Sequence, residues 1–212
     1  MRKRLALLAA ACATLAGCVA PVQQQRTELE AAAVCCTSMS EFRYAPLAMT
    51  AELDVTLGIE SPAYAFDTGK SYFAAYRLPA WTQAYQIRAE SQRADVRGGV
   101  FTPSALLLDG DFRILRRFNV GENADRVRPG VLHIFVNESN SREQYLVVFT
   151  ARASAPGGVH ALVAQPMTTQ IGYAPVVLGA RESRVSLPYS PTGVLALNVS
   201  PYQPLRSGES LQ

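Results

Sequence analysis

The chain has 212 residues, of which 49% are hydrophobic and 17% charged, with 20 Lys and Arg against 17 Asp and Glu. This composition is typical of a globular protein and excludes a collagen-like or intrinsically disordered chain. Arg2, Lys3 and Arg4 account for three of the 20 basic residues, so the rest of the chain balances at 17 basic against 17 acidic residues. A neutral domain without clustered Lys and Arg argues against nucleic acid as the partner.

The first 17 residues have the layout of a secretory signal peptide. Residues 2–4 are basic, residues 5–15 form an apolar core, and small residues follow. The apolar core is too short to span a bilayer stably. The segment ends in the sequence LAGC, which resembles a bacterial lipobox, in which the cysteine is acylated before cleavage on its N-terminal side. We therefore predict a lipoprotein signal peptide over residues 1–17 and lipid attachment at Cys18, with a soluble secreted protein as the alternative.

A lipid anchor at Cys18 implies a membrane as the first partner of the protein. Each buried methylene of an acyl chain contributes roughly 0.8 kcal/mol, so two or three chains hold a protein on a membrane almost permanently. Val19 follows the cysteine, and no acidic residue stands beside it to indicate retention at the inner membrane. We therefore expect a periplasmic protein that is anchored to the outer membrane.

Residues 18–34 are predicted to be a tether that lets the domain stand off the membrane. The run of glutamines at residues 23–25 has nothing to pack, and no periodicity precedes Leu29. Residues 26–34 favour a short helix, and Thr37 or Ser38 is placed to cap a second short turn that ends near residue 42.

Strand patterns follow from residue 53 onward. Residues 53–57 and 84–89 alternate apolar and polar side chains, as expected of strands with one face on a core and the other in water. Two apolar segments flank Asp109-Gly110, a pair that is favoured in tight hairpin turns because both central residues accept positive φ. Residues 131–136 and 145–149 are nearly continuous apolar runs, which predict a second hairpin that is buried on both faces.

The remaining strand candidates complete an all-β chain. They are residues 72–78, 174–178, 184–187 and 194–199. Prolines and glycines separate these segments, and no helical period of useful length follows residue 42. Regularly spaced short strands with turn signals indicate an antiparallel sandwich or barrel. We predict an antiparallel β-sandwich of short strands over residues 35–212, preceded by the signal peptide and a partly helical tether.

Four cysteines occur in the chain, and only Cys35 and Cys36 remain after the signal peptide and the lipid site are set aside. The periplasm is oxidising, but a bridge between neighbours closes a strained ring and adds little stability. A buried thiol pair, an intermolecular bridge and a redox site are the alternatives. The chain holds only His133 and His160 besides, far apart and without zinc-like spacing, so no metal site and no cofactor are predicted.

Known catalytic motifs are absent from the sequence, and no enzymatic activity is predicted. His133 lies within an apolar strand, where a histidine is more often a core or edge residue than a base. Asp109 and Asp111 resemble the carboxylate pair of a glycoside hydrolase only in composition. Their position around a hairpin glycine indicates turn chemistry instead.

Four aromatic residues form the candidate carbohydrate site. Tyr72, Tyr76, Trp81 and Tyr85 lie close in sequence, and Tyr72 and Tyr76 share one face of a predicted strand. Exposed rings of this kind bind sugars by stacking. Packing in the core is the alternative, because aromatic side chains are enriched in strands for that reason.

Several segments in one order carry a family resemblance. They are SYFAAYRLP at residues 71–79, VFTPSALLLD at residues 100–109, YLVVFT at residues 145–150 and the N-terminal stretch 35–47 with Phe42, Tyr44 and Pro46. Together they resemble the maltose operon periplasmic protein (MalM) family. The resemblance implies a periplasmic protein associated with the uptake of maltose and maltodextrin.

Two functions follow from these observations. The first is a non-catalytic accessory or binding protein in carbohydrate transport, with a maltodextrin as the ligand. The alternative is a structural envelope lipoprotein that docks other outer-membrane proteins through an edge strand or an exposed apolar patch.

Overall fold

The computed structural model describes most of the chain, over residues 21–92, 99–119, 130–171 and 174–202. The predicted signal peptide and Cys18 lie outside these ranges. Within them the prediction of an all-β, sandwich-like fold is confirmed. No helix in the described part of the chain is long and apolar enough to cross a membrane.

Regular structure begins with one helix, α1 (Pro21–Ala31), and continues with strands. These are β1 (Ala45–Pro46), β2 (Glu52–Leu57), β3 (Ala63–Phe66), β4 (Gly69–Arg77), β5 (Tyr85–Ser91), β6 (Ser104–Leu108), β7 (Ile114–Asn119), β8 (Val131–Val136), β9 (Tyr145–Phe149), β10 (Gly158–Ile171), β11 (Ala174–Pro188) and β12 (Gly193–Pro201). Single turns of 3₁₀ helix lie at Met39–Glu41 and Glu138–Asn140.

The strands form two main sheets and a separate ribbon. The six-stranded sheet has the order β1-β4-β9-β6-β7, and β3 also pairs with β4. The four-stranded sheet has the order β2-β12-β5-β8, in which all pairs are antiparallel. Strands β10 and β11 pair only with each other among the described residues.

The main core lies between the two sheets. Leu107 and Leu146 from the six-stranded sheet pack in the same cluster as Ile87, Ile134 and Leu195 from the four-stranded sheet, and all five are at most 1% exposed. Burial of one such side chain contributes about 1.5–3 kcal/mol. This layer therefore holds the sandwich together.

A second apolar cluster covers the outer face of the six-stranded sheet. The rings of Phe66 and Phe149 stack with centroids 4.1 Å apart, and those of Phe42 and Phe73 are also 4.1 Å apart. Phe42 comes from residues 34–46, here called the N-terminal strap, which packs across this face. Strands β6 and β9 are buried on both faces for this reason, which explains their uninterrupted apolar sequences.

The predicted hairpin of residues 131–136 and 145–149 is wrong in its pairing. Strand β8 lies at an edge of the four-stranded sheet, whereas β9 lies inside the six-stranded sheet. A 3₁₀ turn capped by the side chain of Asn137 carries the chain from one sheet to the other. Strand β8 also alternates, with His133 and Phe135 exposed, so it is not buried on both faces.

The hairpin around Asp109 is confirmed, but the geometry of its turn differs from the prediction. Strands β6 and β7 pair antiparallel on either side of it. The positive φ of 61° falls on Phe112, and Gly110 is not among the residues with positive φ. Oδ1 of Asp109 instead accepts hydrogen bonds from the backbone N–H groups of Asp111 and Arg113, at 2.9 and 2.8 Å.

The helix of the predicted tether packs on the domain instead of standing off it. Val22 and Leu29 of α1 are 5% and 0% exposed. The guanidinium of Arg26 donates to the backbone oxygens of Ala155 and Tyr189, at 3.0 and 3.1 Å. The expectation that this stretch has nothing to pack is therefore corrected for Pro21–Ala31.

Candidate functional site

The four aromatic residues predicted from the sequence do not form one surface. Tyr72 and Tyr76 share a face of β4 as predicted, but that face is turned toward the four-stranded sheet. Tyr72 and Tyr85 are each 1% exposed and belong to the core between the sheets, while Tyr76 is half-buried against it. Only Trp81 is exposed, at 37%. Stacking of a sugar on Tyr72 or Tyr85 is thus excluded by their burial.

A polar row crosses the outer face of the four-stranded sheet. Asn198 on β12 lies directly opposite Glu52 on β2 and Arg88 on β5, and Arg88 lies opposite His133 on β8. The strand neighbours of Arg88, His133 and Asn198 are more buried than these three residues, so the three side chains point outward together. Glu52 is also exposed and lies next to Asn198 at the edge of the sheet. Adjacent strands are about 4.8 Å apart, so the polar row extends over roughly 14 Å.

Hydrogen bonds between side chains fix the surroundings of the polar row. Nη2 of Arg88 lies 2.5 Å from Oε2 of Glu90, and Nε2 of Gln92 donates to Oδ1 of Asp54 at 2.5 Å. The row borders a shallow depression of about 580 Å³. Its polar lining consists of Glu52, Asp54, Arg88, Gln92 and Asn198. Because these partners hold Arg88, Gln92 and Asp54 in place, the face offers preset donors and acceptors to a ligand.

Two exposed rings stand at one end of this face. Phe135 on β8 and Tyr202, directly after β12, are 46% and 47% exposed, and their centroids lie 5.7 Å apart in an edge-to-face arrangement. Gln86 lies opposite both Phe135 and Ser200 and donates to Oγ of Ser200 at 3.1 Å. The aromatic pair is therefore flanked by polar groups.

Trp81 belongs to the loop that enters the sheet at the same end. The backbone oxygen of Ala84, at the end of this loop, accepts a hydrogen bond from the N–H of Tyr202 at 2.8 Å. Of the four predicted residues, Trp81 is thus the one that the fold leaves exposed, in a loop whose last residue is bonded to Tyr202.

Phe135 and Tyr202 were missed by the sequence analysis. The apolar run of residues 131–136 predicts burial on both faces, although the histidine at position 133 already marks an alternating pattern with Leu132, Ile134 and Val136. The exposed positions of that pattern are 133 and 135. No local sequence pattern marks Tyr202 as a site residue, because its position beside Phe135 depends on the pairing of β12 with β5.

The cysteines and the carboxylates weighed for other chemistry have structural partners. Cys35 and Cys36 are joined by a disulfide bond between neighbours in the N-terminal strap. Asp109 binds backbone amides in its turn, and the carboxylate of Asp111 lies 3.6 Å from Nη2 of Arg113. The described residues contain no cluster of three or more His, Cys, Asp or Glu that could hold a metal ion.

Comparison of the chain with protein-family models, with curated proteins and with solved structures finds no match.

Proposed function

We propose that the protein is a non-catalytic, periplasm-facing lipoprotein that binds a neutral carbohydrate on the outer face of its four-stranded sheet and serves carbohydrate transport as an accessory protein. The exposed pair of Phe135 and Tyr202 beside the polar row is the observation that carries this proposal. The resemblance to the maltose operon family supports a linear maltodextrin as the ligand.

The chemistry of the face suits a neutral sugar. A pyranose ring presents an apolar face that stacks on an aromatic ring, and its hydroxyls donate and accept hydrogen bonds at the rim. Arg88 is paired with Glu90, while Glu52 and Asp54 add negative charge to the face. Anionic polysaccharides are disfavoured by these carboxylates.

The shallow shape of the site predicts weak binding. A flat face buries less of a ligand than an enclosed pocket does. A dissociation constant near a millimolar corresponds to only about 4 kcal/mol, which one stacking contact and a few hydrogen bonds supply. Weak binding also suits a protein that hands its ligand on.

The lipobox-like sequence that ends at Cys18 supports a location in the envelope. Acylation of Cys18 would fix the chain to the outer membrane, and Val19 in the following position carries no retention signal. The near-neutral domain offers no charged surface that would hold it on a membrane by itself.

Isothermal titration with a linear maltodextrin tests the proposal. Heat is expected with the unmodified protein, and Phe135→Ala is expected to weaken binding about two- to twelvefold, because a stacking contact is worth roughly 0.5–1.5 kcal/mol. Ile59→Ala is the matched control, since Ile59 is 65% exposed beyond the opposite end of β2.

The outcomes separate the function from the site. Absence of heat with the unmodified protein contradicts carbohydrate binding. Binding that survives Phe135→Ala and Tyr202→Ala but is lost in Trp81→Ala contradicts the proposed face and moves the site to the loop. The emission of Trp81, the only tryptophan, reports independently on that loop.

A further inference from the structure

A second concave surface lies at the side of the sandwich where β2 is an edge strand. It is a groove of about 1020 Å³ between β2, at the edge of the four-stranded sheet, and β4 of the six-stranded sheet. The walls include Asp54 and Thr56 from β2, Ala75 from β4 and Glu41 from the N-terminal strap. We refer to it as the edge groove. Apart from Asp54 it shares none of the polar residues of the outer face.

The edge groove is lined by backbone groups of β2 that pair with no other strand in the described chain. In the described chain, β2 pairs with β12 and with no strand on its other side. The N–H of Val199 on β12 donates to the oxygen of Ala51 at 2.8 Å, so residues 51, 53, 55 and 57 direct their backbone groups toward β12.

The intervening residues Glu52, Asp54 and Thr56 therefore direct their N–H and C=O groups away from β12, toward the groove. A hydrogen bond from Oγ of Ser61 to the oxygen of Thr56, at 3.1 Å, confirms this direction. A row of such groups is a template for the addition of another strand.

The charges around the edge groove select the occupant. Its lining holds the carboxylates of Glu41, Asp54 and Glu60 and one guanidinium, that of Arg43. Glu41 is fixed by hydrogen bonds from the N–H and the hydroxyl of Thr37, at 3.0 and 2.6 Å. The groove is therefore net acidic and complements a basic strand.

A second copy of the chain is the less suitable occupant. In an antiparallel dimer, β2 of one copy would pair with β2 of the other. If the pairing is centred on residue 53, Glu52 of one copy lies opposite Asp54 of the other. If it is centred on Asp54, the two Asp54 carboxylates lie opposite each other. Like charges directly opposite one another destabilise a strand pair. In addition, β2 carries Glu52 and Asp54 and no basic residue, so a second copy would bring further negative charge to an acidic groove.

We propose that the edge groove binds an extended peptide segment of a partner protein, which carries basic side chains and adds to β2 as a further strand. Main-chain hydrogen bonds to Glu52, Asp54 and Thr56 supply the binding energy. Alternate basic side chains of the segment meet the acidic residues of the groove. This function is independent of carbohydrate binding on the outer face.

Fluorescence anisotropy with two labelled peptides tests the proposal. One alternates lysine and valine, and the other alternates glutamate and valine. The basic peptide is expected to bind at least tenfold more tightly, and its affinity is expected to fall as salt is added. Equal binding of the two peptides would overturn the proposal, as would displacement of the basic peptide by a maltodextrin.

Changes to the backbone test the mode of binding. Thr56→Pro removes an N–H that faces the groove without altering charge, at an edge position where proline is tolerated. Binding is expected to be lost in this variant and retained in the matched control Thr56→Val. Undiminished binding to Thr56→Pro contradicts strand addition.

Two further measurements keep the test decisive if Thr56→Pro does not fold. A basic peptide that is N-methylated at alternate residues lacks the donors for strand pairing and is expected not to bind the unmodified protein. Glu60→Lys is expected to weaken the basic peptide and strengthen the acidic one. Analytical ultracentrifugation tests whether the protein forms a dimer in the absence of peptide. A dimer that dissociates in the Glu60→Lys or Thr56→Pro variant would assign the groove to a second copy and overturn the proposal. Phe135→Ala is expected to leave peptide binding unchanged.

Discussion

Arg116 and Glu143 form a bidentate ion pair at the side of the sandwich where β7 lies beside β8. Nη2 of Arg116 lies 2.6 Å from Oε2 of Glu143, and Nε contacts the other carboxylate oxygen. The same Nη2 donates to the backbone oxygen of Phe135 at 2.8 Å. Because Arg116 is on β7 and Phe135 is on β8, one guanidinium links an edge of the six-stranded sheet to an edge of the four-stranded sheet.

Loss of Arg116 is expected to be strongly destabilising. Glu143 is only 4% exposed, so Arg116→Ala leaves a buried carboxylate without its partner. Breaking a buried pair in this way costs about 3–5 kcal/mol. Arg117→Ala is the control, because its ion pair with Asp67 is exposed and contributes at most about 1 kcal/mol. Urea unfolding measures both, and similar losses in the two variants would contradict the role given to Arg116.

The turn after β6 is expected to depend on Asp109 and not on its glycine. Asp109→Ala removes the acceptor of two backbone hydrogen bonds and is expected to lower the free energy of unfolding by about 1–2 kcal/mol. Asp111→Ala provides the comparison, since its carboxylate is exposed and is expected to matter by less than about 0.5 kcal/mol. Thermal unfolding of the two variants compares their stabilities. Equal midpoints for Asp109→Ala and Asp111→Ala would contradict the structural role of Asp109 in the turn.

Stability is expected to fall at alkaline pH because of the buried tyrosines. Burial raises the pKa of Tyr85 to about 12, with Glu143 adding to the increase and Arg116 opposing it. Burial also raises the pKa of Tyr72 and that of Tyr76. In the unfolded chain a tyrosine ionises near pH ~10, so the unfolded state releases its protons first. Stability is therefore fully present below about pH 10 and is lost as the pH rises toward the folded pKa.

Tyr85→Phe tests this pH dependence. The hydroxyl of Tyr85 has no hydrogen-bond partner in the described structure, so the substitution is expected to cost little at neutral pH and to reduce the alkaline loss. Tyr202→Phe, at an exposed position, serves as the reference. Urea unfolding is measured across the alkaline range, and superimposable profiles for unmodified protein and Tyr85→Phe would show that Tyr85 contributes nothing.

Membrane attachment is expected to depend on Cys18. Cys18→Ser removes the thiol that would be acylated, so the exported protein is expected to move from the detergent phase to the aqueous phase. The reason for this expectation is that buried acyl chains supply far more membrane affinity than a near-neutral protein surface does. A correctly exported Cys18→Ser protein that stays with the membrane would contradict lipid anchoring.

The sequence predicts strand positions best where one face of the strand is exposed to solvent. Alternation located β2 and β5 to within a residue or two, and Asp109 marked the β6–β7 hairpin. It was least informative where both faces are buried, because a continuous apolar run such as β9 carries no sign of its partner. The pairing of residues 131–136 with β5, instead of with residues 145–149, is therefore visible only in the structure.

The candidate site shows the same limit. Tyr72 lies in β4, where both faces are covered, so no alternating polar residue indicates which side is turned to the core. Phe135 and Tyr202 are brought together only because β8 and β12 both pair with β5. Long-range pairing of this kind cannot be inferred from local pattern.

The position of β12 governs the order in which the fold can assemble. This strand, the last one described, lies between β2 and β5 in the four-stranded sheet. Until the chain has been made as far as Pro201, β2 therefore has no partner in this sheet and β5 has only β8. Such non-local pairing slows folding, because loop closure must precede the contacts that reward it. A nascent chain of this protein thus stays without a finished core between its two sheets until β12 has been synthesised.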